Sequence, residues 1–178
     1  MNPQIKKKSF NQWKKFLSLH TLNNKIKEMK LAEALIIRAD LQKRIEQLKA
    51  RLKDSAKVQE GDSPAENVTE LFEELDSNLI QLEDLIYRIN VTNMQTVHEG
   101  ETLTHMMAQK DVLNTRLSVM RELLAHVTGS ETRYGRNEIK YVRTIDVAEL
   151  RRTTDQFSKQ LRELDTKIQG LNWTVDLL

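Results

Sequence analysis

Apolar residues recur at alternating steps of four and three along four separate stretches of this chain, and no other feature constrains the fold as much. A mean step of 3.5 residues holds one face of a helix apolar over many turns. It is the pattern of helices that lie side by side with a left-handed supercoil. The first stretch, from about Met29 to Lys57, carries Leu41, Ile45, Leu48 and Leu52. The second shows Val68, Phe72, Leu75, Leu79, Leu82, Ile86 and Ile89. The third starts near Thr102 and reads Leu103, Met106, Lys110, Leu113, Leu117, Met120, Leu124 and Val127, with Lys110 as its charged interruption. The fourth runs through Val147, Leu150, Thr154, Phe157, Leu161, Leu164, Ile168, Leu171 and Val175.

Punctuation separates these stretches. Gly61, Pro64, Gly100, Gly129 and Gly135 fall between them, and only Gly170 falls inside one. Ser63-Pro64-Ala65-Glu66 has the form of a capping box with proline at the first helical position, and so predicts the start of the second helix. Asp146 followed by Glu149 predicts the start of the fourth. Helices of about 25–30 residues are roughly 40 Å long. Short links before and after the second helix favour antiparallel neighbours. The link from Thr128 to Ile145 is too long to be structureless in a compact domain. Its β-branched and aromatic run, Ile139 to Ile145, predicts a short strand, with a hairpin turn near Tyr134 to Asn137. The expected fold is therefore mainly α: long antiparallel helices with coiled-coil or four-helix-bundle packing, and a short β segment at about 132–145 between the third and fourth helices.

Composition agrees with helix. Of 178 residues, 39% are hydrophobic and only 5% aromatic, which is low for a β-sandwich. No apolar run reaches the roughly 18 residues needed to cross a bilayer, and with no cysteine there is no disulfide staple; both suit the cytoplasm. The net charge of +2 is unevenly shared. Residues 1–28 hold seven lysines and one acid, Glu28, whereas the remaining body is net acidic. The lysines surround Phe10, Trp13, Phe16 and Leu17, a short basic amphipathic pattern suited to peripheral contact with a membrane or a partner. We read residues 1–28 as an N-terminal extension outside the folded unit, and residues 29–178 as a single helical domain.

From Met29 onward the chain resembles the septicolysin-like family of small, functionally uncharacterised bacterial proteins. The resemblance is carried by Met29 to Leu35, Arg38 to Gln42, Ile89 to Asn93, Arg133-Tyr134, Glu138 to Val142, Arg162 to Gln169 and Asn172-Trp173. It implies a mostly helical, self-associating bacterial protein. The family name suggests a cytolysin, but the resemblance supplies no set of functional residues.

Motifs that carry chemistry are scarce. The sequence has no glycine-rich phosphate loop, nucleophile elbow or His-Glu-x-x-His pair. None of His20, His98, His105 and His126 has a glutamate three residues before it, so the di-iron signature of helical bundles is missing. His98, Glu99, Glu101 and His105 cluster at the second turn, where a solvated polar turn is the plainer reading than a cation site. The acids Glu70, Glu73, Glu74, Asp76, Glu83 and Asp84 read as a face that meets arginines and lysines of a neighbouring helix. Arg133, Arg136, Lys140, Arg143, Arg151 and Arg152, interleaved with Tyr134 and Tyr141, form a candidate anion or nucleic-acid patch. Pairing of that patch with an acidic helix is the preferred alternative. Three Asn-x-Thr sequons carry no meaning in a bacterial cytoplasmic protein. The expectation is a structural or interaction protein, not an enzyme, without cofactor or metal. It would form a homo-oligomer through heptad seams, with Leu161, Leu164, Ile168 and Leu171 as candidate contacts. A cytolysin-like membrane activity and nucleic-acid binding are the alternatives.

Overall fold

The computed structural model describes residues 29–129 and 142–178. They are mainly helical, as the apolar spacing predicts. Four helices follow one another: α1 (Leu31–Ser55), α2 (Val68–Gln95), α3 (Leu103–Thr128) and α4 (Val147–Thr174). A two-stranded antiparallel ladder, β1 (Val97–His98) with β2 (Glu101–Thr102), lies between α2 and α3. The strand expected at about 132–145 falls mostly outside the described residues, and its described end, Val142–Ile145, is irregular. Two compact units divide the chain. Among the described residues, the first comprises 29–96 together with Leu171–Leu178, and the second those from Val97 to Gly170.

In the first unit α1 and α2 form an antiparallel hairpin. Leu48, Leu52 and Leu71 are its buried core, with Val68 and Leu75 packed against them. Charge completes the pairing at the edge: Arg44 reaches Glu74 at 2.9 Å, and Arg51 grips both carboxylate oxygens of Glu66 at 2.6 and 2.8 Å. Of the acids expected to meet arginines and lysines of a neighbouring helix, Glu74 does so; Glu66, in the loop before α2, adds a second such contact.

The start of α2 differs from expectation. Ser63 and Pro64 sit in an exposed irregular loop, and the helix begins only at Val68. Asn67 is the cap: its Oδ1 accepts from the Thr69 N–H at 3.0 Å, and its Nδ2 donates to Glu70 at 3.2 Å. Glu66, which the Ser63 box would need as its third residue, is instead drawn to Arg51. A cap side chain with a free acceptor follows one position later, and the helix starts there.

The far end of this unit is closed by backbone pairing. Lys30 and Asp176 form an antiparallel bridge, in which Leu31 N–H donates to Val175 C=O and Leu177 N–H to Met29 C=O, each at 2.9 Å. The Lys30 ammonium adds bonds to the Thr174 carbonyl and the Asp176 carboxylate. Leu178 is tied to α2, since its N–H donates to Thr92 Oγ1 at 3.0 Å and its carbonyl accepts from Arg88 Nε at 2.7 Å. Met29, Leu31, Ile89, Thr92 and Leu177 are all buried here.

The second unit opens with the β1–β2 turn. Glu99 and Gly100 have φ of 52° and 88°, the pair of left-handed conformations that a two-residue hairpin of the primed type requires. α3 starts at the expected place, with Thr102 Oγ1 accepting from the His105 N–H. α4 does so too: Asp146 Oδ1 accepts from Ala148 and Glu149 N–H at 2.8 and 3.1 Å. The antiparallel register of α3 and α4 is marked by Lys110 against Asp165 at 2.5 Å, and by the Arg116 guanidinium 4.6 Å above the Phe157 ring. The charged interruption in the third seam is thus an ion pair across two helices.

Candidate interaction surface

α2 carries more apolar residues than one neighbour can cover. Val68, Leu75, Leu82 and Ile89, seven apart, are buried or half-buried. The positions that complete the enclosed face are Leu71, Asn78 and Leu85, all buried, and not the expected Phe72, Leu79 and Ile86. Sequence alone ranks the two sets wrongly because Asn78 interrupts the enclosed one; its amide is satisfied by the Glu74 carbonyl at 2.8 Å. Phe72, Leu79 and Ile86 are left on a second face, joined by Ile80, Tyr87 and Met94, which are also seven apart. Exposure across these six runs from 38% at Ile86 to 68% at Tyr87, while Leu85 beside them is 1% exposed. The same spacing of seven was available in the sequence as the signal for Ile80, Tyr87 and Met94. Asp76, Glu83 and Asn90 run down the middle of this stripe.

Other candidate residues assemble less. Leu161, Leu164 and Leu171 on α4 are half-buried and Ile168 is buried. Arg133, Arg136 and Lys140 lie outside the described residues. Arg143, Arg151 and Arg152 are exposed, and Arg152 is paired with Glu149 on its own helix.

At the β1–β2 turn the carboxylates face cations and amides, not a shared centre. Glu99 bonds Lys167 at 2.7 Å, and Glu101 accepts from Gln109 at 3.1 Å. No group of three or more His, Asp or Glu converges among the described residues. The hydrogen bond from Lys167, and then its charge, hold the Glu99 carboxyl below its ordinary range, and Glu99 raises Lys167 in return. Arg51 acts likewise on Glu66. An open groove of about 790 Å³ runs beside Asp40, Lys43, Arg44 and Gln47 on α1, its charged lining partly engaged by the Arg44–Glu74 pair.

Fold and surface together define a mainly helical protein with a broad apolar face on α2. Residues 38–177 match the model of DUF6847, a family of unknown function, and the chain belongs to that family. It is also similar to the crystal structure of a functionally unknown conserved protein from Corynebacterium diphtheriae. That match has 43% identity and a TM-score of 0.79, and covers 85% of this chain and 99% of the other. No curated protein matches. These findings overturn the resemblance to the septicolysin-like family, since nothing in either comparison points to it. Some of the stretches that suggested it, such as Met29 to Leu35 and Arg162 to Gln169, are short Leu-, Glu-, Lys- and Arg-containing segments of a composition shared by unrelated helical chains. The lytic reading rested on that name and on the basic amphipathic pattern of residues 1–28; the name no longer supports it, and residues 1–28 lie outside the described residues.

Proposed function

We propose that this chain is an interaction protein that associates with copies of itself. The supporting observation is the second apolar face of α2. Large exposed apolar side chains are ordinary when scattered, but a contiguous stripe of them marks a contact surface. Seven-residue spacing is what a partner helix needs to follow such a stripe. The surface that supports this reading lies on α2, more exposed than Leu161, Leu164, Ile168 and Leu171 on α4. Light scattering of the full chain over a micromolar concentration series tests the proposal. A mass that rises toward a multiple of 20.8 kDa is expected; a constant monomer mass would sink it.

A further inference from the structure

The pattern along the exposed face of α2 is a palindrome about Glu83. Reading outward, Ile80 and Ile86 stand three residues to either side, Leu79 and Tyr87 four, Asp76 and Asn90 seven, and Phe72 and Met94 eleven. Every apolar position mirrors an apolar one, and the polar position mirrors a polar one. In an antiparallel helix pair, a two-fold axis perpendicular to the helices brings residue i of one copy to its mirror position on the other, so a matching palindrome favours that isologous contact. We propose that a second copy of this chain docks antiparallel along α2, with the two-fold axis passing beside Glu83. The inference rests on the self-association reading and adds its surface, direction and register.

Area supports the same occupant. Six large side chains at these exposures offer on the order of 600 Å² per copy. Two copies then remove roughly 1,200 Å² from water, the lower bound for a specific interface. Parallel pairing would set Asp76 against Asp76 and Glu83 against Glu83. The antiparallel arrangement sets Asp76 against Asn90 and leaves one like-charge meeting, at Glu83 itself.

The chain has no cysteine, so single cysteines report the register without background. In the full chain, Glu83→Cys is expected to give a disulfide-linked dimer on mild oxidation. Asp76→Cys alone should not, whereas a mixture of Asp76→Cys and Asn90→Cys chains should. Ile80→Asp and Tyr87→Asp, both at exposed positions, should each weaken association roughly 30-fold or more with unchanged helical circular dichroism. A dimer that survives both changes, or one that links through Asp76→Cys alone, overturns the inference while sparing self-association. A monomer at every concentration overturns the reading beneath it. So does a monomer that instead takes up a peptide of residues 1–28, whose lysines suit the acids of this face.

Discussion

Asn67 and Ser63 compete for the same role, four residues apart, and the outcome turns on where Glu66 goes. With Glu66 held by Arg51, the serine lacks a third residue for its box, and the asparagine caps the helix. Asn67→Ala is therefore expected to cost about 1 kcal/mol, seen as a fall in melting temperature of roughly 2–4 °C for a chain of this size. Ser63→Ala should leave the melting curve in place. The reverse ranking would show that α2 begins earlier. The Arg51–Glu66 pair also sets a pH dependence. The bond from Arg51 lowers the Glu66 carboxyl in the folded chain, so its contribution is present above the unfolded value of about 4.3 and fades as pH falls through the folded one. Denaturant midpoints of the parent and Glu66→Gln should differ at pH 7, and the gap should narrow as pH falls below the unfolded value of about 4.3. A gap that stays the same size as the pH is lowered would mean that the carboxylate's charge is not what matters. Because both side chains are partly exposed, the difference at pH 7 should be small.

For the helices, the contrast between Leu85 and Ile86 is the sharpest test of which face of α2 looks inward. Leu85→Ala removes a buried side chain and should cost about 2–5 kcal/mol. Ile86→Ala, one residue on, should cost less than about 1 kcal/mol in the isolated chain. Urea unfolding at low protein concentration separates them, and equal losses would contradict the register described. The existence and order of the four described helices, and the starts of α3 and α4, could be read from apolar spacing and from Thr102 and Asp146, because those signals are local; the start of α2 could not, since Glu66 is taken by Arg51. Nor could the enclosed face of α2. Two stripes share Val68, Leu75, Leu82 and Ile89, and only contact with α1 decides whether Leu71 or Phe72 joins them. Likewise Lys110 looked like a flaw in the third seam until Asp165, fifty-five residues away, supplied its partner. The candidate surface was half legible: Phe72, Leu79 and Ile86 stood out in the sequence, but as core.

At the scale of the whole molecule, the first unit is discontinuous in sequence: the chain leaves it after Thr96 and returns at Leu171. Its two arms are joined at the bridge, where Met29 lies beside Leu177. Ends held this close tolerate rejoining. A body of residues 29–178 with Leu178 linked to Met29 by a few glycines, and opened between the exposed Asp62 and Ser63, should recover the parent circular dichroism and melt within a few degrees of it. An unfolded or strongly destabilised product would show that the 56–67 connection does more than join two helices.

The same bridge dictates how the molecule would respond to tension. Handles attached at Met29 and Leu178 would pull two neighbouring strand ends apart, so the load would not be shared along the bridge. The bonds holding Leu178 to Thr92 and Arg88 would fail first, then Leu177 to Met29, then Leu31 to Val175. Each is worth little alone once water replaces it, and peeling meets them in series. We predict low-force opening in an optical trap, well below the force needed when the handles sit on Met29 and Val175, at opposite ends of the bridge, which loads the same bonds in shear. Equal forces for the two geometries would mean that the bridge does not bear load as drawn.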